Sequence, residues 1–157
     1  MSGSGPREGD PAPDFAMPAS GGRSVSFGAL KGRPFLLYFY PKADTPGCTT
    51  QACGIQEALP QLGKLKLEVI GVSPDAVPAI EKFASKFNLT FPLASDEDHR
   101  VSEAYGVWKE RSMYGRKFMG VERSSFLVGA DGRIVQAWRK VKPTEHAAEV
   151  LKAARGL

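Results

Sequence analysis

Residues 35–53 read FLLYFYPKADTPGCTTQAC, which joins a continuous apolar run, a turn bounded by prolines and the start of a helical stripe. The run at residues 35–40 contains only aliphatic and aromatic side chains, as expected of a central strand covered on both faces. Pro41 ends this run, and a polar turn follows at residues 42–47. Apolar side chains at helical spacing over residues 48–62 predict a helix. We therefore predict a buried strand that turns directly into a helix, with a cysteine in its first turn.

Strands and helices alternate along the rest of the chain. Further strands are predicted at residues 67–72, 91–94, 123–128 and 134–138, the last two joined by a hairpin turn at residues 129–132. Helices are predicted at residues 74–87, from a cap at residues 95–98 to residue 105, and from about residue 143 onward. Residues 5–22 are expected to form an extended arm or small hairpin, and residues 106–120 an irregular surface loop. This order predicts an α/β fold with a mixed central sheet and helices on both faces.

Length and composition are those of one globular domain. The 157 residues are 42% apolar and 24% charged, which fits a single domain at residues 9–157. Residues 1–8 are expected to be a flexible N-terminal extension or an expression-vector remnant, and they lack the apolar segment of a secretory signal. Since no apolar run approaches the roughly 20 residues needed to span a bilayer, we expect a cytoplasmic protein with no membrane partner.

Charge and motifs exclude several classes of function. The net charge of +4 comes from scattered basic residues, which does not favour a nucleic-acid partner. The motifs GxxxxGK[ST], GxGxxG and GxSxG are absent, so phosphate cradles and serine-hydrolase sites have no sequence support. His99 and His146 are expected at the surface and lack metal-ligand spacing to either cysteine. A structural disulfide is not expected in a reducing cytosol, so Cys48 and Cys53 indicate redox chemistry or simple packing.

Cys48 lies where the carboxyl end of the predicted strand turns into the helix, the crevice in which open α/β sheets place their active sites. Unpaired backbone N–H groups and the positive dipole end of the first turn favour an anion there, such as a thiolate. Pro41 would shield the sulfur on one side, and the Thr45 hydroxyl can accept and donate hydrogen bonds to a hydroperoxide. The segment therefore predicts a nucleophilic cysteine. The neighbouring carboxylate of Asp44 would oppose formation of the Cys48 thiolate if that carboxylate were buried.

Cys53 follows Cys48 by five residues. On an intact helix their Cα atoms stand about 8 to 9 Å apart, beyond the roughly 7 Å limit for a disulfide. If the two cysteines bond, the helix between them has to unwind first, so the spacing predicts a switch. The alternative interpretation is that Cys53 is a small buried side chain on the inner face of the helix.

Arg123 is predicted inside a strand, on one face with Val121, Ser125 and Leu127. An arginine in that position needs an anion, which can be a thiolate or peroxide oxygen or a carboxylate such as that of Glu122. The apolar side chains of the predicted loop either line a groove or pack into the core: Trp108, Tyr114, Phe118 and Met119.

These residues resemble the active-site pattern PxxxTxxC of peroxiredoxins, which Pro41, Thr45 and Cys48 match. The stretches FYPKADTPGCTTQACG, SDEDH, YGVWKE and ERSSFLVGADG are similar, in the same order, to those of the bacterioferritin comigratory protein group, also called Q-type peroxiredoxins. The resemblance covers about residues 9–151 and implies a thioredoxin-like fold.

The resemblance also implies an activity and a role for each site residue. It implies an atypical two-cysteine peroxidase that reduces hydrogen peroxide and organic hydroperoxides, needs no cofactor or metal, and is recycled by thioredoxin or a similar dithiol. Cys48 corresponds to the peroxidatic cysteine and Cys53 to the resolving cysteine, which together form an intramolecular disulfide. Thr45 and Arg123 match the activating pair, and Pro41 matches the shielding proline.

Two other functions stay open from the sequence, and so does the oligomeric state. A dithiol oxidoreductase would have the same fold, although its usual CxxC spacing is absent. A redox-sensing binding module would open a partner surface when the cysteine helix unwinds. The surface is compatible with a monomer or a weak homodimer.

Overall fold

A computed structural model gives the structure of residues 5–157. In chain order the strands are β1 (Ala16–Pro18), β2 (Ser24–Ser26), β3 (Phe35–Phe39), β4 (Glu68–Ser73), β5 (Leu93–Ser95), β6 (Trp108–Met113), β7 (Arg116–Val121), β8 (Ser124–Val128) and β9 (Ile134–Arg139). The α-helices are α1 (Pro46–Lys64), α2 (Val77–Lys86), α3 (Arg100–Ala104) and α4 (His146–Arg155). None of the helices described is long and apolar enough to cross a bilayer.

The central sheet has five strands in the order β5-β4-β3-β8-β9. Strands β3, β4 and β5 are parallel, whereas β8 runs antiparallel to β3 and β9 antiparallel to β8. The apolar run therefore occupies the middle of the sheet, and all five residues of β3 are buried. The mixed sheet predicted from the sequence is confirmed.

Side chains of β3 alternate between two apolar clusters, one on each face of the sheet. Phe35, Leu37 and Phe39 pack with the N-terminal arm and with Val101 of α3. Leu36 and Tyr38 pack on the opposite side with the buried residues of α1, α2 and α4. Helices thus cover both faces, as predicted, and the face with three helices carries both cysteines on α1.

The segment predicted as an irregular loop, residues 106–120, is instead a two-stranded hairpin of β6 and β7. Tyr114 and Gly115 form its two-residue turn, and both have positive φ, at 53° and 78°, as in a type I′ hairpin turn. Most side chains on both faces of this hairpin are exposed. An exposed hairpin needs no alternation of apolar and polar residues, so the sequence carried no two-residue period.

The third predicted helix is shorter than its predicted range. Helix α3 has only the five residues Arg100–Ala104, and its N-cap residue is His99 and not one of the predicted residues 95–98. Within that predicted cap, the Asp96 carboxylate still accepts hydrogen bonds from the amides of Val101 and Ser102. Of the predicted extension at residues 1–8, only residues 5–8 lie within the described part of the chain. There Pro6 O accepts a hydrogen bond from Arg139, and the Glu8 carboxylate accepts one from the amide of Ala137.

Candidate active site

Cys48 is the third residue of α1 and is buried, with 1% of its surface exposed. Strand β3 ends at Phe39, and a short connection leads into Pro46, whose fixed φ suits the first helical position. The amide of Thr49 is the first to bond back, to the carbonyl of Thr45 at 2.8 Å. The amides of Gly47 and Cys48 precede the helical hydrogen-bond ladder and can serve an anion at the sulfur.

Thr45 is the N-cap residue of α1 and is half-buried. Its Oγ1 donates a hydrogen bond to the carbonyl of Lys42 at 2.9 Å. The hydroxyl proton is therefore engaged within the loop, and the lone pairs of Oγ1 remain available as acceptors. Pro41 is half-buried directly after β3 and Tyr40.

The connection before Thr45 is held by residues from the next strand and helix. The amide of Ala43 donates to Asp75 Oδ2 at 2.7 Å, and Ser73 Oγ donates to the same oxygen at 2.9 Å. Asp44 has a positive φ of 60°, and its exposed carboxylate pairs with Lys86 at 3.0 Å. Because the Asp44 carboxylate is solvated and paired, its charge does little to oppose a thiolate at Cys48.

Arg123 lies between β7 and β8, not inside a strand as predicted. Its Nη1 donates a hydrogen bond to Gln51 Oε1 at 2.6 Å. Its Nη2 is 3.1 Å from the position that a Cβ on Gly47 would occupy, so the guanidinium lies against the first turn of α1. A larger residue than glycine at position 47 would crowd this guanidinium.

The predicted partners of Arg123 also need correction. Glu122 pairs with Lys109 at 3.3 Å, and within residues 5–157 no carboxylate forms an ion pair with Arg123. Val121 packs in the apolar cluster on the opposite side of the sheet from Leu127. Val121 ends β7 and Leu127 lies in β8, so the two residues do not share one strand face as predicted.

Cys53 lies on the same unbroken helix as Cys48, and both thiols are free. It is half-buried and lies outside the apolar cluster that contains Ala52 and Ile55. The interpretation of Cys53 as a core side chain is therefore wrong. The structure brings Cys48, Thr45 and Arg123 together around the first turn, with Cys53 farther along α1.

Two buried tyrosines pack beside Cys48, and the sequence predicted them only as strand residues. Tyr38 and Tyr40 belong to the same apolar cluster as Cys48, and their rings lie 5.6 Å apart. Burial is the main cause that raises the pKa of both phenols, and the nearby cysteine adds to it. Both phenols therefore stay protonated and neutral beside the cysteine.

His146 was predicted at the surface, but its exposure is 0%. Its Nδ1 lies 3.0 Å from Gln51 Nε2, and its Nε2 lies 2.6 Å from Ser125 Oγ. Gln51 was not predicted as a site residue either, although its position one turn after Cys48 on the inner stripe of α1 was a signal. His99 is partly exposed, as predicted, and stacks on Trp108 with ring centroids 4.1 Å apart.

The four aromatic and methionine side chains of the predicted loop do not share one environment. Three of them are exposed on the hairpin, with exposed fractions of 98% for Tyr114, 45% for Phe118 and 51% for Met119. The alternative that these three side chains pack into the core is therefore wrong. Trp108 packs against the apolar cluster on the face that carries α3. Within residues 5–157, no group of three or more His, Cys, Asp or Glu side chains is placed to hold a metal ion.

A family model described as AhpC/TSA family matches residues 8–137. Curated relatives over nearly the whole chain carry the name peroxiredoxin Bcp. The chain belongs to the AhpC/TSA family, as a peroxiredoxin of the bacterioferritin comigratory protein (Bcp) group. It is therefore a peroxidase.

The sequence similarity of this Bcp-group chain to individual relatives extends over almost the whole length of both proteins. It is 42% identical over 149 residues to peroxiredoxin Bcp of Bacillus subtilis, covering 95% of each chain. It is 43% identical over 145 residues to peroxiredoxin Bcp of Escherichia coli, covering 92% of this chain and 93% of the other.

Solved structures of peroxiredoxin Q are similar in fold as well as in sequence. Peroxiredoxin Q of Xanthomonas campestris matches with a TM-score of 0.86 and 42% identity over 90% of each chain. A cysteine-to-serine variant of PrxQ from Xylella fastidiosa matches with a TM-score of 0.92 and 38% identity over 98% of each chain. The thioredoxin-like fold implied by the sequence resemblance is confirmed for this Bcp-group chain.

Proposed function

We propose that this chain reduces hydrogen peroxide and organic hydroperoxides at Cys48, that Cys53 resolves the oxidised sulfur, and that thioredoxin or a similar dithiol restores both thiols. The observation that carries the proposal is the grouping at the start of α1. A buried cysteine in the first turn has the guanidinium of Arg123 beside that turn, and a second, more exposed cysteine lies on the same helix.

In the first step the Cys48 thiolate attacks the terminal oxygen of the peroxide. The O–O bond breaks, the sulfur becomes a sulfenic acid, and the other oxygen takes a proton and leaves as water or an alcohol. Negative charge develops on that leaving oxygen. The permanent charge of Arg123 and the amides of Gly47 and Cys48 support this step because they are already oriented around the first turn.

In the second step the Cys53 thiol attacks the sulfenic sulfur, so that a disulfide forms and water leaves. Both cysteines lie on continuous helix, where this spacing separates the Cα atoms by about 8 to 9 Å. A disulfide needs less than about 7 Å. The helix between the cysteines therefore has to unwind, and the half-exposed position of Cys53 leaves it free to move.

The third step needs an external dithiol, which attacks the disulfide and is itself oxidised to a disulfide. The proposal of organic substrates is supported by a relative, because structures of the Xanthomonas campestris bacterioferritin comigratory protein are described as giving insight into its alkyl peroxide reduction activity. That relative is 41% identical over 90% of this chain.

The test is peroxide-dependent oxidation of reduced thioredoxin, followed with hydrogen peroxide and with an alkyl hydroperoxide. We expect catalytic turnover with both substrates. Turnover with a small dithiol but none with thioredoxin would remove the proposed reductant only. A failure to consume either peroxide with either reductant would contradict the proposed substrates as well.

A further inference from the structure

A chain of four polar side chains runs from the first turns of α1 into the space between α4 and the sheet. Arg123 Nη1 donates to Gln51 Oε1 at 2.6 Å, Gln51 Nε2 lies 3.0 Å from His146 Nδ1, and His146 Nε2 lies 2.6 Å from Ser125 Oγ. Gln51, Ser125 and His146 are all buried, with exposures of 1% or less. Three separate elements, α1, β8 and α4, therefore meet at one imidazole.

The hydrogen-bond directions along this chain are fixed by the arginine. A guanidinium only donates, so the Gln51 oxygen has to accept from Arg123 and the Gln51 amide nitrogen has to donate to His146. His146 Nδ1 is then an acceptor without a proton, and Nε2 carries the proton and donates to Ser125 Oγ. Only the neutral imidazole with this tautomer satisfies every group.

The surroundings of His146 hold it in this neutral form. Its ring lies 5.6 Å from the ring of Tyr38 and 6.4 Å from that of Trp138, measured between centroids. Burial lowers the pKa of His146 to about 3, and the charge of Arg123 acts in the same direction. The packed aromatic rings also keep the imidazole from turning.

Two of these four side chains, Gln51 and Arg123, also lie next to the reacting part of α1. Gln51 lies one turn after Cys48, and the guanidinium of Arg123 extends past Gln51 toward Gly47. An amide side chain alone can rotate and present either its oxygen or its nitrogen to Arg123. The acceptor at His146 Nδ1 removes that freedom, because it binds the nitrogen and leaves the oxygen for the guanidinium.

We propose that His146 is a positioning residue for peroxide reduction, which fixes the amide of Gln51 and through it the guanidinium of Arg123 beside Cys48. This inference rests on the proposed function, in which Arg123 stabilises charge in the attack of Cys48 on a peroxide. His146 touches neither the sulfur nor the substrate in this role. Its effect depends on one atom, the unprotonated Nδ1.

The dependence on Nδ1 gives matched variants. The side-chain oxygen of asparagine is as many bonds from Cα as His146 Nδ1, so His146→Asn keeps an acceptor for Gln51. Glutamine reaches the level of Nε2 instead, so His146→Gln keeps a partner for Ser125 and loses the acceptor for Gln51. His146→Leu removes both partners while it fills the space.

The experiment measures the second-order rate constant for oxidation of Cys48 by hydrogen peroxide, in fully reduced protein below the melting temperature. We expect His146→Gln and His146→Leu to lower this constant by about 10- to 100-fold, as small losses of alignment do, and His146→Asn to stay within about threefold of the original protein. A purely structural role would lower the melting temperature of all three variants and leave the rate constants of the folded proteins equal, which would overturn the inference.

A measurement on the unaltered protein covers variants that do not fold. The nitrogen-15 shifts of the His146 ring at neutral pH should report an unprotonated Nδ1 and a protonated Nε2, and the opposite tautomer or a charged ring would overturn the inference. If the unaltered protein reacted with peroxide no faster than free cysteine, the proposed function would fail and this inference with it. Normal reactivity with equal rates in His146→Gln and His146→Asn would overturn only the role of His146.

Discussion

The two cysteines of α1 are five residues apart in sequence and lie in different environments. Cys48 is buried in the apolar cluster between the sheet and three helices, and Cys53 is half-buried outside that cluster. Residues from the connection before α1 and from the segment between β7 and β8 surround the first turn that holds Cys48. One helix therefore buries one thiol beside a charged side chain and leaves the other partly exposed.

The side-chain bonds of α1 also differ on the two sides of Cys53. Before it, Gln51 bonds to Arg123 and lies within hydrogen-bond distance of His146. After it, Gln56 accepts from the amide of Thr90 at 2.8 Å and also bonds to the Thr90 hydroxyl. Unwinding limited to residues 48–53 would break the bonds of Gln51 and leave those of Gln56 intact.

The largest expected effect is that of Cys48→Ser. Serine has nearly the same size but its hydroxyl is a far weaker nucleophile at neutral pH, so we expect peroxidase turnover to fall to background. Peroxide consumption with a dithiol reductant measures this. Turnover near that of the original protein would contradict a nucleophilic role for Cys48.

Cys53→Ser is the matched variant at the half-buried cysteine and should separate two steps. We expect the first oxidation of Cys48 to stay within about threefold, because Cys53 lies outside the first turn. Turnover with thioredoxin should stall, with a sulfenic or overoxidised sulfur detected by intact mass. Unchanged turnover with thioredoxin would remove the resolving role.

Arg123→Met tests whether the charge beside Cys48 causes the difference between the two thiols. Methionine keeps much of the volume and removes the charge, and loss of such a group commonly costs about 10²- to 10³-fold in rate. We expect a fall of that order in the second-order rate constant with hydrogen peroxide. Arg123→Lys keeps the charge but loses the forked donors, so its rate constant should lie between those of the original protein and Arg123→Met. Equal rates in all three proteins would rule out a role for the guanidinium.

The smallest expected effect is a pH dependence of stability that comes from the buried side chain of His146. Its pKa is about 3 in the folded protein because burial and Arg123 disfavour the charged ring, whereas an unfolded histidine has a pKa of about 6.5. Between these values the unfolded chain binds the extra proton, so acid favours unfolding. The free energy of unfolding should therefore fall by about 2 kcal/mol from pH 8 to pH 5 through this group.

Urea unfolding of the original protein and of His146→Asn at both pH values measures this term. The variant lacks the titrating ring, so its loss of stability between pH 8 and pH 5 should be smaller by that amount. An equal loss in both proteins would mean that His146 titrates normally when the protein is folded.

The part of the site that could be predicted from the sequence is the part made by neighbouring residues. The strand, the turn and the first helical turn follow each other directly, so the apolar run and the prolines located Cys48, Thr45 and Pro41 at one junction. Arg123 was recognised as needing an anion, but its exit from the strand and its bond to Gln51 depend on how α1 packs against the sheet.

The parts that could not be predicted depend on long-range packing or lack a pattern. His146 has charged and polar neighbours in sequence, and only the docking of α4 against α1 and β8 buries it. The β6–β7 hairpin has two exposed faces, so no apolar face marks its strands. The surface prediction for His146 and the loop prediction for residues 106–120 were both wrong because they used only the pattern of neighbouring residues, which does not show tertiary contacts.

The most direct test of the division between the two thiols is a single-turnover oxidation. Fully reduced protein receives one equivalent of hydrogen peroxide, and free thiols and intact mass are measured after a few seconds. We predict that both thiols are lost and that the mass falls by about two hydrogens, because one intramolecular disulfide forms. Two thiols that survive and react only as fast as free cysteine would contradict a peroxidatic Cys48 resolved by Cys53.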